Sequence, residues 1–525
     1  MEKPNRNLCE LERRLSSKKI LTNVLSWMKL KRTNEGMTVQ GVSLTSLDNL
    51  KTILKGEDMK TISGQLAETA VEFFEMNLSK LPEDLIPLAK RCLLDTLAVT
   101  IGGYASPVYN IIFDWAREIG GKQESTIIGD GLMVPAANAS LVNGTMLRYL
   151  DYNDFYGGIG AYVRAGWHPS ETIPAVLAVG ELVHASGQDI LKGIIMAYEL
   201  GNRLLDVAGE STYSIGPKGI HSLGCVIMPA AVGPLLKMNA KQIANAIGTS
   251  GAMVTLGILD AMPEEPNAMA KNTVYPLACW LGITAALWAK KGFTGPTRVF
   301  EGPKGLVSSV LGEQYDINAL RKSLILPWDR YTIRDTTFKM FPVESSTLAP
   351  VEGVYRIVHE HDIDPDDIRE INIRASERCV VHDGDQHQFY SVNKESADHS
   401  LPFTVSTVVL ERQIGPDQYT PQKLRNPKIH MIAQKINLKA DPTIDNKVGG
   451  AEVEIKTASK GTFSISIKNC KGHPLNPMSD EDIKEKFFRM AQRLMSKIKA
   501  NECIDLIYHL ENQSDICNFM KHFVF

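Results

Sequence analysis

Two stretches of this chain, Val176–Val183 and Leu277–Trp288, carry apolar residues on more than one face of a helix. Such helices are stable only when other helices surround them, which commits the chain to a large globular bundle. Its 525 residues supply enough chain for that core and for two to four domains. Further helices are predicted from near Ile62, and around Leu85, Leu88, Cys92 and Val99, with Pro82 in a first turn. Others follow at Ala136–Leu150 (with Leu141, Thr145 and Arg148 on one face), Pro169–Ala185 stopped by Gly187, and Asp189–Leu204. Val226–Leu236, Ala240–Val254 and Lys271–Lys290 repeat the pattern with short loops.

The period changes after about Pro327. Ile371 and Ile373 alternate with polar residues, and Val453/Ile455 and Phe463/Ile465/Ile467 flank Ser459-Lys460-Gly461-Thr462, the pattern of a β-hairpin. Ser400–Leu410 reads as a buried helix, and Glu481–Ala500 and Cys503–Leu510 as helices again. The expectation is a mainly α protein. Residues 61–332 form a large all-helical domain and 333–470 a smaller α+β domain, while 471–525 return to the helices. Residues 1–60 read as an extension. From Arg13 to Asn34 it has no acid, and Ile20, Val24 and Trp27 recur at helical spacing, the look of an organelle transit peptide. Glu2, Glu10 and Glu12 precede it, and a non-functional extension fits as well, so the cytoplasm and the mitochondrial matrix both stay open.

The 57 basic and 60 acidic residues nearly cancel, so no global field holds nucleic acid, and an anionic ligand needs a local cluster of bases. Eight cysteines contain no C-x-x-C element, which argues against a zinc ribbon or an iron–sulfur cluster. No run of about 18 apolar residues suggests a membrane span. Phosphate-cradle and nucleophile-elbow motifs are absent, and Gly157-Gly158-Ile159-Gly160 is too irregular to serve as one. Neither a cofactor nor a metal is expected.

Polar groups interrupt the helices at a few places. Asp151-Tyr152-Asn153-Asp154 ends one helix and Trp167-His168-Pro169-Ser170 begins the next. A carboxylate and an imidazole on facing helix ends suit acid–base work, and helix capping explains the same residues. His221 lies between Gly219 and Gly224, where the backbone can approach a ligand closely, though a core or surface histidine fits too. Lys271, at the start of an apolar helix, opposes the helix dipole, and Lys339 sits between Phe338 and Phe341 at the expected domain junction. His359 and His361 form an H-x-H pair lacking further ligands, and read as the polar end of a helix.

In order along the chain, Cys92–Leu97, Leu141–Asp154, Trp167–Ser170, Lys271 with Gly282, Gly292–Pro296, Phe338-Lys339 and Ala397–Leu401 resemble the MmgE/PrpD family over about residues 62–510. The resemblance implies a large helical domain with a smaller α+β lid, usually as a homodimer, and an active site between them. It implies Asp151, His168, His221 and Lys271 on the helical side and Lys339 from the lid. The activity implied is dehydration of 2-methylcitrate or a related alkylcitrate by acid–base catalysis without a cofactor. The alternatives are decarboxylation of cis-aconitate and a silent binding scaffold. There are departures. The stretch between Asp151 and His168 is long, carrying Tyr156–Arg164. Glu344, Ser345 and Ser346 stand where the family often has a histidine, and no tyrosine lies near Val380, where the animal decarboxylase has one.

Overall fold

The computed structural model describes residues 61–156, 167–207, 223–254, 266–312, 315–384, 391–444 and 450–525, and the backbone of 30–33 and 36–39. Residues 1–60 form a unit of their own, in which Leu30–Thr33 pairs antiparallel with Gly36–Val39. The helical spacing from Ile20 to Trp27 lies outside the described residues.

Thr61–Phe525 is the second unit, and it contains two apolar cores. The larger core is helical. Its principal helices are α1 (Ile62–Glu75), α2 (Leu85–Gly102), α3 (Pro107–Ile119), α4 (Ala136–Tyr149), α5 (Ile173–Val183), α6 (Gly187–Asp206), α7 (Leu223–Val232), α8 (Ala240–Ala252) and α9 (Val274–Lys290). The segments apolar on more than one face are α5 and α9. Residues Ile173–Glu181 of α5 are all buried, as the patterning requires, whereas α9 leaves Leu277 and Trp288 exposed and is not buried all round.

Local chemistry corrects several expected boundaries. Gly187 does not stop α5. His184 ends it in a left-handed conformation (φ 53°), and Gly187 is already the first residue of α6, capped by Ser186. Pro169–Thr172 is a separate 3-10 turn ahead of α5. Lys271 likewise precedes its helix, in the turn Met269–Asn272. Pro82 lies before α2, whose N-cap is Asp84.

Two short strands, β1 (Phe155–Tyr156) and β2 (Thr336–Thr337), pair antiparallel and bring the end of the α4 loop beside the segment carrying Lys339. The smaller core follows, built on α10 (Leu348–Glu360), α11 (Leu401–Glu411) and a four-stranded sheet. The strands are β3 (Ile368–Ala375), β4 (Ile436–Ala440), β5 (Ala451–Thr457) and β6 (Thr462–Ile467), in the order β6-β5-β3-β4. Only β3 and β4 are parallel. Ile371 and Ile373 lie opposite Ile455 and Val453, forming one buried face. Gly353 of α10 lets that helix approach the face, since a Cβ there would stand 2.7 Å from Val453. The rings of His359 and His361 pack on Tyr355 and Phe463.

Two C-terminal helices, α12 (Asp480–Ala491) and α13 (Lys497–Tyr508), place Ile483, Phe487, Cys503 and Ile507 in the larger core. Helix α12 also carries Lys486, which is fully buried. Its ammonium lies 2.6 Å from Asp95 of α2, donates to the carbonyls of Tyr152 (2.7 Å) and Lys339 (3.1 Å), and sits over the Tyr152 ring. Burial pushes Lys486 down and Asp95 up from their ordinary values, and their mutual attraction opposes both shifts. Lys486→Met leaves Asp95 buried without its counter-charge and is expected to cost about 3–5 kcal/mol. The Asp95→Asn/Lys486→Met pair is expected to cost less than the sum of the single changes. Urea unfolding of the four proteins in the cycle measures both.

Candidate active site

Asp151 follows the C-terminal end of α4 in the left-handed region (φ 49°), a conformation that Asp tolerates better than most residues. The carboxylate is buried, and cations from both cores surround it. Oδ1 lies 2.5 Å from Nζ of Lys339 and 3.0 Å from Arg148, while Oδ2 lies 3.1 Å from Nζ of Lys271. Burial alone would raise its pKa. Arg148, Lys339, Lys271 and His399 overcome that and hold the carboxyl well below the usual range.

Lys339 has no exposed surface, and its ammonium also donates to the carbonyls of Asp151 (3.0 Å) and Val343 (2.8 Å). Its position is fixed by the neighbouring Phe338, which donates its N–H to the Gly472 carbonyl. Gly472 has φ 96°, and a Cβ there would stand 1.9 Å from the Phe338 carbonyl oxygen, so the approach requires glycine.

Lys271 joins the two cores a second time. Its Nζ lies 2.7 Å from Asp398 and 3.0 Å from Nδ1 of His399. Asp398 in turn contacts Lys394 (2.6 Å) and His399 (2.6 Å), and its carboxyl is held below the ordinary range, burial being overcome by Lys271 and Lys394. Asp151, Asp398 and His399 present three atoms of metal-ligating type, with the ammonium of Lys271 in contact with each. The cation that this cluster holds is a lysine.

His168 comes from the other side. The indole of Trp167 lies against α6 at Gly201, where a Cβ would stand 2.1 Å from the ring, and its Nε1 donates to Asn202 (2.8 Å). That anchors the next residue. Nδ1 of His168 lies 2.6 Å from the carbonyl oxygen of Asp154, so Nδ1 carries the hydrogen and Nε2 the lone pair. Burial, then Arg148 and Lys339, push the imidazole pKa well below its ordinary value and keep the ring neutral. The Asp154 carboxylate accepts from the Ser170 N–H (3.1 Å) and the Tyr198 hydroxyl (2.6 Å), fixing the turn after His168.

Four of the five site residues expected from the sequence therefore belong to one neighbourhood: Asp151, His168, Lys271 and Lys339. The fifth, His221, lies outside the described residues, as do residues 157–166, which include most of the long insertion. Sequence reasoning missed Arg148, Glu171, Lys394, Asp398 and His399 as site residues. Arg148 was visible as a charged residue on the face of an otherwise small and apolar helix, three residues before Asp151. Glu344–Ser346 brings no imidazole, while His399 places Nδ1 3.6 Å from Asp151. Glu344 is buried beside Arg378 and held below its ordinary range by Arg378 and His399 against the effect of burial. Val380 supplies no hydroxyl, but the smaller core does bring in Tyr419, whose hydroxyl donates to the Pro342 carbonyl (2.6 Å).

A helical body and an α+β body joined through a buried group of lysines, carboxylates and a neutral imidazole define an enzyme of the acid–base type. Residues 65–318 match the MmgE/PrpD N-terminal domain and 341–512 the MmgE/PrpD C-terminal domain. The chain belongs to the MmgE/PrpD family. Similar proteins include the human cis-aconitate decarboxylase, 24% identical over 84% of this chain and 90% of its own length. The Aspergillus terreus cis-aconitate decarboxylase is 20% identical over 88% and 96%. The Saccharomyces cerevisiae probable 2-methylcitrate dehydratase is 23% identical over 66% and 68%.

Glu171, in the turn after His168, pairs with Arg148 at 3.1 Å, yet burial outweighs that attraction and raises its pKa to about 7. The folded protein thus keeps a proton that the unfolded chain releases near the ordinary glutamate value. Stability from this group is present at low pH and lost as pH rises toward 7. Glu171→Gln keeps the neutral form and is expected to gain up to about 3 kcal/mol relative to wild type between about pH 5 and pH 8. Thermal melts of both proteins across that range measure it. Asp154, raised to about 6 by burial, leaves part of the slope in place.

Proposed function

We propose that this protein is a cofactor-independent hydro-lyase that dehydrates 2-methylcitrate or a related alkylcitrate. The observation that carries the reading is a neutral imidazole, His168, in the same buried neighbourhood as a cation-ringed carboxylate, Asp151, at the meeting of the two cores. Dehydration needs a base for the hydrogen next to a carboxylate and an acid for the departing hydroxyl. His168 suits the base, because Asp151 is stabilised as an anion by its cations and is correspondingly weak. The C–H pair of electrons passes into the developing alkene, and the hydroxyl leaves as water with a proton from an acid. Lys271, Lys339 and Arg148 stabilise the enolate-like charge as it forms. Glu171 supports the reading as a carboxyl that carries a proton up to near neutrality. His221 remains part of the proposed catalytic set. The same reading carries a homodimer, for which the exposed row Ile111, Trp115 and Ile119 on α3 offers apolar surface.

Decarboxylation of cis-aconitate is the second reading. It is favoured by alignment, since relatives named cis-aconitate decarboxylase cover 84–88% of this chain and those named dehydratase 66–68%. Incubation with 2-methylcitrate, citrate and cis-aconitate separates the two. Alkene absorbance rising without carbon dioxide is the expected result. Carbon dioxide from cis-aconitate selects the second reading, and no turnover of any of them selects a silent scaffold.

Lys339→Ala is expected to lower kcat/KM by roughly ten- to a hundredfold, the loss of a charge-assisted contact of about 1.5–3 kcal/mol. Lys339→Arg keeps the charge in a different geometry and is expected to rescue only part. Kinetics on the preferred substrate, with a melt as folding control, decide it. Near-wild-type turnover in the alanine variant removes Lys339 from the mechanism.

A further inference from the structure

At the opposite end of α5 from His168, about 16 Å along an eleven-residue helix, a second group of chemically reactive side chains meets at the surface. Nδ1 of His184 lies 2.9 Å from Oδ2 of Asp515 and 3.5 Å from Sγ of Cys517. Here an imidazole nitrogen, a carboxylate oxygen and a sulfur lie within 4.8 Å of one another. We propose that His184, Asp515 and Cys517 form a binding site for a zinc-class divalent ion.

Three features support this assignment. The first is geometry. With metal–ligand distances of about 2.0–2.3 Å, neighbouring donors of a tetrahedral zinc stand roughly 3.3–3.6 Å apart. The 3.5 Å nitrogen–sulfur separation matches, and the 2.9 Å nitrogen–oxygen separation needs only a small rotation of exposed side chains. The second is rigidity of the backbones that carry the donors. The Ile516 N–H donates to Ala185 (2.9 Å) and the Gly187 N–H to Gln513 (2.8 Å), so segments 184–187 and 513–516 are tied on both sides of the group. Asp515 uses Oδ1 to accept the Cys517 N–H (2.9 Å), leaving Oδ2 aimed at the histidine. The third is the chemistry of the set. Carboxylate and sulfur both approach the same ring nitrogen. A nucleophilic triad places its acid and its nucleophile on opposite nitrogens, so this is not one. Three donors of metal-ligating type within 4.8 Å of one another suit a metal, and the thiol with the imidazole selects zinc over magnesium or calcium. Solvent supplies the fourth position.

The test uses the full chain, stripped by chelation under reducing conditions and titrated with cobalt(II) and then zinc. The expected result is one equivalent bound, with a thiolate-to-cobalt charge-transfer band. That band is absent in Cys517→Ser. Zinc affinity in His184→Asn, a substitution that tolerates the left-handed backbone, is expected to fall at least about tenfold. Melting without metal should be unchanged in both variants. Failure of the wild type to bind one equivalent overturns the proposal. So does a band of full intensity in Cys517→Ser, which places the metal elsewhere.

Discussion

A carboxylate with 1% of its surface exposed is the constraint on which the rest of this structure depends. Asp151 stays ionised only because Arg148, Lys339 and Lys271 surround it, and these cations come from three separate places. Arg148 belongs to the preceding helix, Lys271 to a 3-10 turn, and Lys339 to the segment between the cores. Each has to be buried at the cost of its own hydration, and that cost is recovered only if all of them arrive together. The pairing of β1 with β2, the glycine contact at Phe338 and the Lys486 ammonium against two carbonyls are the devices that deliver them.

That dependence explains what was legible in the sequence. The helical class was readable because α5 and α9 are apolar on several sides, and the sheet because Ile371, Ile373, Val453 and Ile455 alternate. Both signals are local and periodic. The ends of helices were read less well. Gly187 has the look of a stop, yet the chain turns earlier at His184, because the carbonyls of Gly180 and Glu181 are capped by the backbone there. A glycine can also begin a helix when a serine precedes it.

The site was legible only in part, for a related reason. Asp151, His168, Lys271 and Lys339 stand out because each interrupts an apolar context, and the family resemblance ties them together. Glu171, Lys394 and His399 sit in polar stretches where a capping or solvated role explains them equally well. Only the fold shows that the Asn393–His399 segment meets the Met269–Asn272 turn, with Asn267 bonded to Ser396 and Asn272 to Glu395. Asp398-His399 was part of a matching motif without a role attached. The zinc-class site was invisible for a stronger version of this reason, since no spacing rule links residue 184 to residue 517.

On the proposed reading, the saturation of the lysines has a consequence for substrate choice. Lys339 has three N–H groups and three acceptors: two on Asp151 and one on Val343. Lys271 is shared among Asp151, Asp398 and His399. A substrate carboxylate therefore gains a lysine contact by replacing an internal one. Exchanging one carboxylate for another is close to neutral in electrostatic terms and carries the loss of translational freedom besides. A monocarboxylate would bind weakly under those conditions. A tricarboxylate loses that freedom once and can exchange at Lys271, Lys339 and Arg148 together, so affinity grows with the number of carboxylates engaged. The site thus selects polyanions by the charges it already holds.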